Sequence, residues 1–213
     1  MAEGEEARSA TVLVSRRDVS GGIELDPSAL PTLVASNLHL RALTRADVPA
    51  LFSIFGDPEV TRYWSHPALQ TEEDAAKLLD HILSGFKTRS LFQWGLARRD
   101  DNFVIGTCTL AGLDRGHRRA EIGFALARAE WGQGLMAEML PILIDFAFGP
   151  LSLHRLEGDV DPRNAASLRT LERLGFRKEG YLRERYHVGG ETQDSVLLGL
   201  LAAEWRNFRG GGD

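Results

Sequence analysis

Gly132-Gln133-Gly134 stands where a strand-like stretch gives way to a helix-like one. Glycines at such a junction let a ligand approach the backbone closely. The unpaired N–H groups of the first helical turn then face that ligand with partial positive charge. Phosphate is the ligand type this arrangement suits best. Eleven residues before Gly132, Glu121 offers a carboxylate on the strand that leads into the junction. Asn164 and Ser167 lie three apart at a second helix start, on one side of it. Asn164 is a good N-cap there, and Ser167 is tolerated three positions on.

A strand must deliver Glu121, and a helix must begin at the glycines. Residues 118–126 alternate, with Glu121, Gly123 and Ala125 on one face and Ile122, Phe124 and Leu126 on the other. Residues 132–148 read as a long apolar helix in which Pro141 removes the hydrogen bond to Ala137 and should introduce a kink. Strands at 91–97 and 103–110 precede residue 118, and their short turns require an antiparallel meander. Residues 154–160 form a strand reached through a helix, hence a parallel step. The helix capped by Asn164 carries Leu168, Leu171 and Leu174 and stops at Gly175. Strands at 181–188 and 191–201 flank Gly189-Gly190, a hairpin signal.

Ahead of the meander, residues 37–43 alternate as a first strand. Thr44, Asp57-Pro58 and Thr71 with Asp74 then start three helices. Residues 1–36 read as a partly flexible extension with a hairpin around Ser20-Gly21-Gly22, and residues 206–213 as a tail. Residues 37–205 form one mixed α/β domain.

The composition is that of a soluble globular chain, with 213 residues, 43% hydrophobic and 26% charged. A formal charge of −5 argues against nucleic acid and suits a cationic partner such as an amine. Cys108 is the sole cysteine, so no intrachain disulfide forms and nothing indicates an oxidising compartment. Trp94 and Cys108 lie on strands and read as core. No apolar run reaches the ~18 residues of a bilayer span. The acidic N-terminus lacks the order of a secretory signal, so a cytoplasmic protein is expected, with no membrane partner. The histidines stand apart, without metal-ligand spacing.

The chain resembles the GNAT superfamily of N-acetyltransferases, and within it the RimJ/RimL-like branch. The likeness rests on Leu38-His39-Leu40-Arg41, Ala120-Glu121-Ile122-Gly123-Phe124, Trp131-Gly132-Gln133-Gly134, Asp161 to Ser167 continuing to Leu174-Gly175-Phe176, and Gly190 to Asp194. These blocks span about residues 37–205, and their order and spacing are more specific than any one of them. The resemblance implies a V-shaped split between the strands beginning near Arg118 and His154, entered by acetyl-CoA as cosubstrate without a metal. Pantetheine would pair with backbone groups of Phe124, Ala125 and Leu126. Pyrophosphate would lie over the loop and helix start formed by Trp131, Gly132, Gln133, Gly134, Leu135, Met136 and Ala137. Glu121 would deprotonate the acceptor amine through a water, in direct attack within a ternary complex. Asn164 would bind the cofactor or a nearby water, and Ser167 would lie near the thiol. Tyr63, Trp64 and His66 would line the acceptor pocket. A small amine or a protein N-terminus would be the acceptor, and the protein a monomer or homodimer.

Two positions depart from the superfamily pattern. Leu171 stands where many members have a tyrosine that protonates the leaving thiolate, so Ser167, water or direct release must serve. Met136 ends the loop motif and is bulky enough to crowd a phosphate. These departures favour a degenerate acyl-CoA-binding or interaction module on the same fold as the alternative. Gly132 to Ala137 also fits the dinucleotide fingerprint of an oxidoreductase, but it follows a meander instead of the first strand of a βαβ unit.

Overall fold

Period-two stretches become strands and amphipathic stretches become helices, largely where the patterns place them. A computed structural model describes residues 29–210. The hairpin expected around Ser20-Gly21-Gly22 lies outside the described residues. In chain order the elements are β1 (Leu33–Val34), β2 (Leu38–Arg41), α1 (Val48–Phe55), α2 (Pro58–Thr61), α3 (Glu72–Thr88), β3 (Leu91–Arg98), β4 (Val104–Asp114), β5 (Arg119–Leu126), α4 (Leu135–Phe148), β6 (Arg155–Val160), α5 (Ala165–Arg173), β7 (Arg177–Val188), β8 (Glu191–Leu201) and α6 (Ala202–Gly210). The strands make one sheet in the order β1-β2-β3-β4-β5-β6-β8-β7. Only β5 and β6 pair in parallel; the other neighbours are antiparallel.

Helices cover both faces. On one, α4 lays Met139, Leu140, Leu143 and Phe146 against Phe92, Trp94 and Leu156 of the sheet, with Leu171 of α5 joining the same core. On the other, Leu51, Ile54 and Phe55 of α1 and Leu79 and Ile82 of α3 meet Ala97, Val104 and Ala125. α4 continues as one helical element past Pro141.

Folded structure extends to both sides of the expected 37–205 boundary. Leu33 pairs with Leu40 and is fully buried, and the Trp94 indole donates to Pro31 O at 2.9 Å. At the other end, α6 is pinned to α4 by Trp205 Nε1 donating to Asp145 Oδ1 at 2.6 Å.

Local caps fix where helices begin. The Thr71 hydroxyl accepts from Asp74 N–H at 3.2 Å, while Asp74 Oδ2 accepts from Thr71 N–H at 3.1 Å, a reciprocal capping box. Thr71→Ala is expected to cost about 1 kcal/mol of stability. Urea unfolding at fixed pH measures this as a lowered midpoint with an unchanged slope.

The feature that positions the site is a fork. β5 and β6 pair at Arg119↔Arg155, Ala120↔Leu156 and Glu121↔Glu157, and then part. β5 stays with β4 to Leu126, while β6 stays with β8 to Val160. Just beyond the fork, Gly158 leaves room for α5: a Cβ there would lie 2.9 Å from Leu171 Cδ1.

Candidate active site in the strand fork

The fork opens into a cleft of about 240 Å³ that gathers residues far apart in sequence. Glu121 and Phe124 come from β5, Asn164 and Ser167 from the start of α5, and Tyr63, Trp64 and His66 from the loop after α2. Polar residues not named as site residues from the sequence also line it, among them Asp159 and Asp161 at the end of β6, Tyr186 on β7, and Gln193 and Asp194 on β8. Alternation past Glu157 puts Asp159 on the face of Glu121, a signal available once the two strands are taken as parallel neighbours. Nothing local in the hairpin reveals that Tyr186 and Gln193 reach the same cleft.

Glu121 belongs to the last parallel pair before the strands separate. Its side chain is open to the cleft and accepts no hydrogen bond from the described residues. The protein around it displaces water, and that raises its pKa above the ordinary carboxylate range; Asp159 adds to the rise and Arg185 opposes it. A carboxylate with raised proton affinity in a concave site is suited to take a proton from an amine.

The other acids are already engaged. Asp159 accepts from Tyr186 Oη at 2.8 Å, from Arg185 Nε at 2.9 Å and from the Ser195 hydroxyl. Asp161 is buried and accepts from Arg163 N–H at 2.8 Å and from its guanidinium at 2.6 Å. The Arg163 guanidinium also lies 5.7 Å from the Tyr63 ring centroid, linking the β6–α5 turn to the loop after α2. Trp64 is held edge-on between Phe55 and His66, with ring centroids 5.1 and 5.3 Å away. Four carboxylates, Glu121, Asp159, Asp161 and Asp194, thus face a cleft answered by two arginines, a field that favours a cationic acceptor.

The geometry fits a phosphate-bearing cosubstrate on two observations. Gly132 and Gly134 are left-handed, with φ of 76° and 75°, and a Cβ on either would meet nothing within 4 Å, so the space above the loop is open. Among the described residues, the N–H groups of Gly132, Gln133, Gly134, Leu135 and Met136 donate no hydrogen bond, and they stand at the positive end of α4. Ala137, expected among these donors, is committed instead: its N–H goes to Gly134 O at 2.9 Å. Met136 does not crowd the loop. It is buried with Sδ 4.0 Å from Cys108 Sγ, inside the core. Burial pushes the Cys108 thiol up to about 12, which leaves it a core residue without nucleophilic character.

Beyond the fork, one edge of β5 has no strand partner among the described residues. Ala127 N–H donates to Ile105 O at 2.8 Å, so odd-numbered residues of β5 direct their backbone groups to β4 and even-numbered ones to the cleft. Phe124 and Leu126 therefore face the opening. Ala125 does not, because its backbone pairs with Thr107 on β4. The Leu126 carbonyl is already taken by the indole of exposed Trp131, at 3.0 Å. The Gln133 side chain folds back to Ala129 O at 3.1 Å, bracing the loop from beneath.

At α5, Asn164 Oδ1 accepts from Ser167 N–H at 3.1 Å, the expected cap. Its amide nitrogen and the Ser167 hydroxyl make no hydrogen bond among the described residues, and both residues line the cleft. Leu171 is buried at the cleft floor and carries no proton to give. No helix among the described residues is long and apolar enough to cross a membrane.

Known proteins resemble this chain in sequence and fold. The family model described as acetyltransferase (GNAT) domain matches residues 37–177. The uncharacterized N-acetyltransferase YoaA of Bacillus subtilis is 33% identical over 171 residues, which is 80% of this chain and 97% of that protein. The ribosomal protein uS5-alanine N-acetyltransferase of Escherichia coli is 32% identical over 120 residues, covering 56% of this chain and 62% of that one. In fold, the spermidine N-acetyltransferase from Vibrio cholerae, solved with CoA and spermine, superposes with a TM-score of 0.72 over 80% of this chain and 99% of that one, at 23% identity.

Proposed function

The chain belongs to the GNAT family of acetyltransferases, and from that premise we propose that its cleft passes the acetyl group of acetyl-CoA directly to a primary amine held beside Glu121. The observation that carries the reading is the fork: a carboxylate of raised proton affinity stands where two parallel strands part, with free backbone beyond it.

Acetyl-CoA supplies a thioester carbonyl already activated for attack. The residues of this chain have four tasks. The backbone of Phe124 and the N–H of Leu126 lie along the open edge of β5, on which an extended chain docks as an added strand does. The N–H groups of Gly132 to Met136 hold pyrophosphate. Glu121, directly or through one water, takes the proton that an ammonium must lose before its nitrogen can attack. Tyr63, Trp64 and His66 wall the acceptor side. A C–N bond forms and the C–S bond breaks; the proton lost before attack ends on Glu121, and the second proton, shed by the nitrogen as the amide forms, passes through the Ser167 hydroxyl or a water to the departing thiolate. Asn164 Nδ2 is placed to hold that water or the cosubstrate. Binding both reactants before chemistry converts much of the barrier into a positioning problem.

Calorimetric titration with acetyl-CoA, paired with intact-mass measurement after incubation without an amine, tests this reading. One-site binding with an unmodified protein mass is expected. A protein that gains an acetyl group would contradict direct transfer, and absence of any heat would remove acetyl-CoA from the account.

A further inference from the structure

We infer that the Tyr186 hydroxyl, its hydrogen fixed on Asp159, accepts one N–H of the acceptor amine and turns the nitrogen lone pair toward the thioester. The inference rests on the acetyl-transfer reading and adds an orienting residue to it. Asp159 follows Glu157 by two residues on β6, which puts it on the Glu121 face where the strands part. Tyr186 belongs to β7, two strands away from β6, and its hydroxyl reaches past β8 to Asp159 at 2.8 Å. Asp159 and Tyr186 both line the cleft with Glu121.

The hydrogen bonds around Asp159 fix which way the phenol hydrogen points. A carboxylate has no hydrogen to give, and Asp159 receives three: from Tyr186 Oη, from Arg185 Nε at 2.9 Å and from the fully buried Ser195 hydroxyl. Tyr186 has a single hydrogen, and it is committed there. Toward the cleft its oxygen can only accept. Burial pushes the hydroxyl above its ordinary range, with Arg185 opposing and Asp159 adding to the rise, so Tyr186 stays neutral.

A neutral acceptor is what an amine needs beside a base. An unoccupied carboxylate in its place would compete with Glu121 for the ammonium proton, whereas a phenol oxygen holds an N–H without removing it. The neighbouring acids are occupied. Glu157 holds Arg119 and Arg155, each at 2.8 Å, Asp161 holds Arg163 at 2.6 Å, and Asp194 accepts from Tyr181 Oη at 2.5 Å and Glu184 N–H at 2.7 Å. Once Glu121 has taken its proton, a primary amine keeps two N–H bonds. The one held by Tyr186 survives in the amide, and the other is shed toward the thiolate. A secondary amine keeps one, which cannot be both held and shed, so the arrangement disfavours it.

Alanyl-glycine amide and spermidine, each compared with a counterpart N-methylated at its primary amines, test this with acetyl-CoA as donor. The wild-type chain is expected to prefer the unmethylated amine by at least about tenfold in kcat/KM. Tyr186→Phe removes the oxygen and keeps the ring. It is expected to lower kcat/KM for the unmethylated amine by about 10- to 100-fold and to narrow the preference by about tenfold. Acetyl-CoA affinity should stay near wild type. The pH at which turnover rises should also stay, because Asp159, Glu157 and Arg185, the charges that act on Glu121, are unchanged. Thermal unfolding separates a lost hydroxyl from a lost fold; if the variant does not fold, the wild-type preference decides. No wild-type preference, a variant within about threefold of wild type, or a loss matched by weaker acetyl-CoA binding overturns the inference and leaves acetyl transfer standing. Failure to bind acetyl-CoA, or to release thiol with either unmethylated amine, overturns both.

Discussion

Glu121→Gln is expected to lower kcat by about 10²–10⁴-fold while leaving acetyl-CoA affinity near wild type. The substitution keeps the shape of the side chain and its place in the last β5–β6 pair, and removes only its capacity to take a proton. A base acts deprotonated, so wild-type turnover should rise with pH through the Glu121 pKa, which displaced water and then Asp159 hold above the ordinary carboxylate range. The variant should lack that rise. Stability provides an independent check with a determined sign. Because the folded pKa exceeds the unfolded one, the folded chain binds more protons between the two values, and stability falls as pH rises through that window. Above it the charged carboxylate weakens the fold. Glu121→Gln should therefore melt at higher temperature than wild type at neutral pH, with the difference shrinking below the ordinary carboxylate range. Unchanged turnover would remove Glu121 from the chemistry.

The second large effect is expected at the phosphate loop. Gly134 precedes α4 with φ 75° and ψ 6°, a left-handed conformation that a β-branched residue adopts only under strain. Gly134→Val should cost about 1–2 kcal/mol of stability. It should also weaken acetyl-CoA binding by roughly tenfold or more, because the N–H groups of Gly132 to Met136 no longer converge on one point. Gly190, with φ 87° and open space at its Cβ, supplies the control. Gly190→Val in the β7–β8 turn should carry similar strain and leave acetyl-CoA affinity intact. Calorimetry on the pair separates a general loss of stability from a loss at the loop, and equal affinity losses would detach the glycines from phosphate binding.

Legibility of the fold followed from how much each element depends on its own residues. The β3–β4–β5 meander, the parallel step to β6 and the Thr71 and Asn164 caps are local: alternation, short turns and side-chain caps announce them. β1 has two residues, too few for a period, and is a strand only because β2 offers it an edge. α6 is held by contacts distant in the chain, among them the Trp205 indole reaching Asp145 of α4, 60 residues away. The site divides in the same way. The glycine junction is a property of consecutive residues, so Gly132 to Gly134 are legible locally; the fork joins β5 to β6 across α4, and the family resemblance is what implied it. Packing decided the rest: Met136 turned into the core toward Cys108, Ala125 turned its backbone to β4, and Ala137 lost its N–H to Gly134. Sheet order, not local pattern, carried Tyr186 and Gln193 to the cleft. A hairpin's alternation fixes which face its side chains share, and β8 lying beside β6 determines what that face meets.

The most direct test of acetyl transfer in the fork is the balance between thiol released and acetyl gained. Acetyl-CoA and a primary amine are mixed with the wild-type chain, free thiol is followed by colour, and the amine product is weighed by mass spectrometry. One thiol for each acetyl group found on the amine, with thiol release dependent on that amine, is the predicted result. Tight acetyl-CoA binding without transfer to alanyl-glycine amide or spermidine, or thiol release that ignores the amine, would contradict it.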